Sequence, residues 1–200
     1  GLFPIFQPNP DLDLQILANR IFNNIFERDS YWTGRSIHRS NWLDLNNLIN
    51  FDRPDSSLHL EKVDPPDIEL NKFFYKNIGK KHRWVDRLVW DNLKWMSYLE
   101  NKNVHTYVLK LSNNFVGYFE VIKDEKNKHA EIAYFGILEE FIGKKIGAYL
   151  LSEAIKSCFK INSNRVWVHT CTLDHKNALN NYLNRGMKIF KQETINLNIN

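Results

Sequence analysis

The residues with the clearest chemical purpose lie between Glu131 and Lys160. The apolar run Ile132-Ala133-Tyr134-Phe135-Gly136-Ile137 has the length and composition of a strand. The loop Ile142-Gly143-Lys144-Lys145-Ile146-Gly147 follows. Apolar residues at Ile146, Leu150, Leu151, Ala154, Ile155, Cys158 and Phe159 then repeat at the period of an amphipathic helix. A glycine-bearing loop that enters a helix suits phosphate, because the first-turn N–H groups lack partners and the helix dipole favours an anion. Gly143 and Gly147 have no Cβ to hold a ligand off the backbone. Lys144 and Lys145 oppose the dipole, an arrangement that a polyanionic ligand explains. The alternative is that both lysines point into water and the glycines only shape a turn.

Three further groups have acid–base potential. Glu120 ends one strand-like run and Glu131 begins the next. Side by side in a hairpin, their repulsion would raise the pKa of one toward that of a base. As solvent-facing strand carboxylates they would do nothing of the kind. His169, with an ordinary pKa of about 6.5, suits a proton relay, although a strand histidine also serves as a hydrogen-bonded structural group. Trp84, Asp86, Tyr118, Tyr134 and Trp167 offer rings and a carboxylate for an ammonium. Aromatic residues in strands commonly belong to a core instead.

The elements that must position these residues form one sizeable core, for which 200 residues with 43% hydrophobic content suffice. A net charge of +4 and a pI near 8.9 suit a small anionic ligand. They carry no dense basic block of the kind that marks nucleic-acid binding. Cys158 and Cys171 have no metal-site or disulfide spacing, and there is no transmembrane run or secretory leader, so a reducing cytoplasm is the expected setting. No metal and no membrane partner is expected, and the chain is expected to be a monomer or a homodimer.

Residues 1–57 read as a helical N-terminal extension. Asp11 to Phe26 is amphipathic, and Ser40 is placed to cap a second helix carrying Trp42, Leu45, Leu48 and Ile49. That segment is expected to cover the core or, alternatively, to act as an interaction arm. Residues 58–200 then give a strand (58–63), a helix capped by Asp67 and a basic aromatic loop from Lys80 to Arg87. A short helix (91–99) and strands at 105–111, 115–122 and 130–137 come next. After the central helix come a strand (165–170), a helix (176–183) and a final strand (187–197). Antiparallel strands that feed a strand–helix–strand unit imply an α+β domain with a mixed, mostly antiparallel sheet flanked by helices.

That order, with the phosphate-type loop at its middle, resembles the GNAT superfamily of acyl-CoA-dependent N-acyltransferases over residues 58–197. Two motifs carry the resemblance. The family loop is typically Q/R-x-x-G-x-G/A; here Ile142 stands at the polar first position, Lys145 at the middle glycine, and Gly147 is kept. Ala178-x-x-x-Tyr182-x-x-x-Gly186-Met187 is similar to the family's A-x-x-x-Y-x-x-x-G-F helix, with His175 where members often carry Asn and Asn177 nearby. The stretches Val166–His175, Glu131–Phe141 and Trp84–Arg87 look like one bacterial branch of that superfamily.

The resemblance implies acetyl-CoA as cofactor and a small-molecule amine as acceptor. The strands Glu131–Ile137 and Arg165–Thr170 would splay apart around the pantetheine arm, which would pair near Phe135, Gly136 and Ile137. The loop Ile142–Gly147 would hold the pyrophosphate, with His175, Asn177 and Tyr182 also at the cofactor. The amine would enter near Trp84. Acyl transfer needs a base, an oxyanion stabiliser and a proton for the departing thiolate. Tyr182 would be the acid. Glu131 would be the base, with Glu120 and His169 as alternates. A non-catalytic CoA-binding module and a peptide N-acetyltransferase are the rival readings.

Overall fold

The structure, a computed structural model, describes residues 34–44, 46–82 and 84–197. Seven strands form one sheet: β1 (Gly34–Asp44), β2 (Leu58–Lys62), β3 (Val104–Leu111), β4 (Asn114–Asp124), β5 (His129–Ile137), β6 (Arg165–Cys171) and β7 (Lys188–Leu197). Their spatial order is β2-β3-β4-β5-β6-β1-β7. Every pairing is antiparallel except β5 with β6. Around the sheet lie α1 (Ile68–Gly79), α2 (Asn92–Leu99), α3 (Ile146–Lys160) and α4 (Ala178–Asn184). This is the α+β, largely antiparallel architecture that the element order implies.

Local chemistry starts the first two helices. The Asp67 carboxylate accepts from the Leu70 N–H at 2.9 Å, and Asp91 accepts from Lys94 N–H at 2.8 Å, each satisfying a first-turn donor. The sheet then separates two cores. On one face Leu150, Leu151, Ala154 and Ile155 of α3 pack against Phe119, Val121, Ile132, Val166 and Val168. On the other, Phe74, Tyr75 and Ile78 of α1 and Trp95 and Leu99 of α2 pack against Tyr118 and Tyr134.

Among the described residues, the helix expected around Trp42, Leu45, Leu48 and Ile49 does not form. Residues 34–44 are a strand inserted between β6 and β7, so the boundary expected after residue 57 cuts through the sheet. The physical reason is pairing: both edges of β1 find ladder partners, which outweigh a cap at Ser40. The strand escapes sequence reading because its buried residues include His38, Ser40 and Asn41, leaving no apolar alternation. The helix expected over 11–26 lies outside the described residues.

The second core encloses an ion pair. Arg87, 4% exposed, donates from Nη1 to both carboxylate oxygens of fully buried Glu120 at 2.9 and 3.0 Å. Burial works against the guanidinium's charge, but Glu120 and nearby tyrosines hold its pKa well above the ordinary value. Its Cζ lies 4.1 Å from the ring centroids of both Tyr98 and Tyr134. Removing one partner of such a pair strands the other charge in a dry site. Glu120→Ala should therefore cost about 3–5 kcal/mol of stability. Urea unfolding should show this as a lower midpoint at unchanged slope; a cost below about 1 kcal/mol would mean that water reaches the pair.

Candidate active site

Parallel pairing between β5 and β6 lasts three steps, His129 with Arg165, Ala130 with Val166 and Glu131 with Trp167. The register between β4 and β5 slips at the same height: Glu120 faces Tyr134 while Val121 faces Ile132, leaving Ala133 as a bulge. Beyond it the strands part and open a cleft of about 540 Å³. Phe135, Gly136 and Ile137 line one wall, and Val168, His169 and Cys171 the other. Past Glu131, β5 has no β6 ladder partner.

The phosphate-type loop closes one end. Gly143 has φ +88° and Lys145 has φ 62°, ψ 2°, so the chain turns through two left-handed residues into α3. A lysine in that region carries about 1 kcal/mol of steric cost that glycine avoids. Among the described residues no side chain caps the first turn of α3, an arrangement that suits an anion. A Cβ on Gly147 would meet Ile137 Cδ1 at 3.4 Å, an ordinary contact, whereas one on Gly143 would meet nothing within 4 Å. Asn181 Nδ2 donates to the Gly147 carbonyl at 3.1 Å and ties α4 to the loop.

Of the residues expected at the cofactor, Ile142, Gly143, Lys145, Gly147, His175, Asn177 and Tyr182 line the cleft. Ile146 and Lys144 do not. Ile146 is 4% exposed in the first core, and the Lys144 ammonium lies 5.0 Å from the Phe141 ring centroid. The residues present fit an acyl-CoA. The helix start and Lys145 suit its pyrophosphate, and the edge of β5 from Phe135 to Ile137, beyond its ladder with β6, suits the amides of its pantetheine arm.

Tyr182, 6% exposed, reaches the cleft from α4. Burial first, then Asp174 and Cys171, raises its pKa above the ordinary phenol value, so it keeps its proton at neutral pH. Asp174 accepts from the Thr170 hydroxyl at 2.6 Å and from the Cys171 N–H at 3.0 Å. The Cys171 thiol lies 4.0 Å from the other Asp174 oxygen, and a carboxylate there opposes a thiolate.

The acceptor residues divide. Trp84 and Tyr134 line the cleft, with ring centroids 4.9 Å apart. Asp86, expected to pair an ammonium, instead accepts from the hydroxyls of Tyr75 and Tyr134, each at 2.7 Å, and so orients the cleft wall from behind. Tyr118 is wholly buried and stacks on Phe74 at 4.9 Å, which makes it core. Trp167 sits opposite Glu131 at the last paired step, outside the cleft lining.

Of the expected bases, Glu120 is withdrawn into its ion pair with Arg87. Glu131 is 3% exposed at the closed end of the cleft and is not part of its lining. His169 is in the lining, and beside it stands a residue that sequence reading missed: His38 of β1, whose Nδ1 is 3.2 Å from His169 Nε2. A sequence signal for it would have required placing β1 beside β6, 131 positions away.

A sequence profile of the Acetyltransferase (GNAT) family matches residues 67–187. The chain belongs to that family. Among solved structures it is similar to a GCN5-related N-acetyltransferase from Sphaerobacter thermophilus, with TM-score 0.58 and 16% identity over 90% of this chain and 56% of that one. It is also similar to a GCN5-related N-acetyltransferase from Kribbella flavida, with TM-score 0.57 and 13% identity over 80% and 58%. The chain thus spans little more than half the length of these two. An aminoglycoside acetyltransferase from an uncultured soil metagenomic sample gives TM-score 0.55 and 18% identity over 66% of this chain and 88% of that one. No protein of curated function matches. At these identities the likeness concerns the GNAT fold.

His175 stands where many GNAT members carry Asn, and the site shifts its titration. Burial first, then His82 and Lys176, lowers its pKa from the ordinary 6.5. In the window between that lowered value and 6.5 the unfolded chain binds more protons than the folded one, so stability rises with pH there. His175→Asn should remove this contribution and flatten the pH dependence of unfolding below 6.5. A slope unchanged in the variant would show that the ring titrates as it does in the unfolded chain.

Proposed function

We propose that this GNAT protein is an N-acetyltransferase that moves the acetyl group of acetyl-CoA to the primary amine of a small molecule by direct transfer. One observation carries the reading: a helix start without a side-chain cap, a strand that has parted from its parallel neighbour and a proton-bearing tyrosine meet in one cleft. Acetyl-CoA supplies an activated acyl carbon and a thiolate leaving group. The chain's residues do the rest. The α3 N-terminus and Lys145 hold the pyrophosphate, β5 from Ala133 to Ile137 aligns the arm, and Tyr182 holds a proton for the departing sulfur. Alignment itself supplies much of the rate. Cys171 beside Asp174 is poorly placed to be a thiolate nucleophile, which favours direct transfer over an acyl-enzyme.

The acceptor enters past Trp84 and Tyr134. Among the described lining residues the carboxylate is Asp174, already bonded to Thr170 and Cys171. A ring-walled entry of this kind suits an amine with an apolar or aromatic body better than a polycation such as an aminoglycoside.

Gly147→Asp puts bulk and negative charge where the pyrophosphate would lie. Calorimetric titration with CoA should show at least a tenfold loss, about 1.4 kcal/mol, and unchanged affinity in a folded variant would move the site elsewhere. Tyr182→Phe keeps the ring that packs in the first core, so the melting temperature should hold. Loss of the hydroxyl should lower turnover about 10²-fold or more. Equal turnover by variant and wild type would remove Tyr182 from the chemistry, and CoA binding without turnover of any amine would favour the non-catalytic module.

A further inference from the structure

Building on the transfer reading, we propose that His169 takes the proton from the acceptor ammonium. His38, packed behind it, is the positioning residue that sets the tautomer of His169 and shares the charge. The imidazoles meet Nδ1 to Nε2 at 3.2 Å, with centroids 5.1 Å apart and planes inclined by 28°. His38 is 6% exposed, and both rings line the cleft. Register explains the meeting: His38 lies opposite Cys171 and Ser40 opposite His169, so the two histidines share one sheet face, diagonally across β1 and β6.

That face is the acceptor side. His169 follows Trp167 by two residues, Trp167 pairs with Glu131, and Glu131 pairs with Ile122, which is two residues from Glu120 and its partner Arg87. Tyr182 belongs to the core of the opposite face. Acid and base therefore approach the gap from its two sides, and His169 is the first side chain on this face of β6 beyond the last paired step.

When both rings are neutral, one of the two facing nitrogens carries hydrogen and the other a lone pair. With hydrogen on His169 Nε2, an N–H bond of the ammonium breaks as an N–H bond forms at the other nitrogen of His169. The Nε2 proton then shifts to His38 Nδ1. The amine forms its C–N bond as the C–S bond opens. Tyr182 gives its proton to the sulfur and recovers one from the nitrogen, and the histidine pair releases the first proton to water.

The charged and titratable surroundings act in both directions. Cys171 is on the same strand as His169, and Asp174 and His175 lie just beyond it. Glu193 of β7 is opposite His38 and is held by Lys191 at 3.0 Å. His82, Tyr134 and Tyr182 share the cleft, and Glu131 lies at its closed end. The carboxylates favour a charged pair, whereas Lys191 and the other two histidines oppose it.

The test uses the full chain. Acetyl-CoA turnover is measured from pH 5.5 to 9 with tryptamine, spermidine, kanamycin and a lysine peptide, and ¹⁵N NMR follows the imidazoles with and without CoA. His169→Gln should lower turnover about 10²-fold and erase the acid limb of the pH–rate profile while CoA affinity is kept. His38→Gln should lower turnover less and displace that limb. In the wild-type spectra the two rings should titrate in two coupled steps that collapse to one in His38→Gln. A wild-type profile in His169→Gln, or a His169 titration indifferent to His38→Gln, overturns the proposal. Wild-type CoA binding without turnover of any amine overturns the transfer reading and the base role together.

Discussion

The early parting of β5 and β6 is the constraint on which the rest of this molecule depends. Two parallel strands that pair for three residues and then diverge leave backbone donors and acceptors facing a gap instead of each other. Buried backbone groups are costly to leave without partners, so a gap opened between strands suits a molecule that carries its own amides. The bulge at Ala133 steers β5 away from β6, and the same loss of pairing that weakens the sheet creates the place where an extended ligand can lie.

A sheet split in this way needs support on both faces. On one, α3 covers β4, β5 and β6 with Leu150, Leu151, Ala154 and Ile155. On the other, α1 comes so close to β5 that a Cβ at Gly136 would sit 2.4 Å from Ile78 Cγ2. The Arg87–Glu120 pair then fastens the segment after α1 to β4, surrounded by Tyr98, Tyr134 and Trp90. The Arg87 N–H also donates to Tyr75 Oη at 3.1 Å, and Tyr75 in turn reaches Asp86. Tyr134 is thus held at the cleft by a largely buried polar network, with Trp84 packed edge-on against its ring, and such networks fix a single arrangement when their groups are satisfied.

The far side of the gap is built differently. β6 would face an empty edge but for β1, which pairs with it antiparallel and then passes the edge on to β7. This insertion protects the strand and brings His38 to a cleft whose β5 and β6 walls lie more than 90 positions further along the chain.

Much of this was legible in the sequence because it follows from local periodicity. The central helix, the turn before it, the hairpin strands and the Asp67 cap each arise from residues within a few positions of one another, and the GNAT motifs mark the loop and Tyr182. Side-chain destinations were not legible. Glu120 and Glu131 look alike as strand carboxylates, yet burial opposite Arg87 withdraws the first and the last paired step confines the second. Tyr118 and Tyr134 look alike as strand aromatics, yet one stacks inside the core and the other meets the cleft. Residues 34–44 carry too few apolar residues to reveal their partners, so pairing alone decided that they form a strand. Period and cap are properties of neighbouring residues, and the sequence determines them by itself. Which charge is neutralised, which ring is buried and which histidines meet depend on contacts between distant segments, and only the tertiary structure decides those.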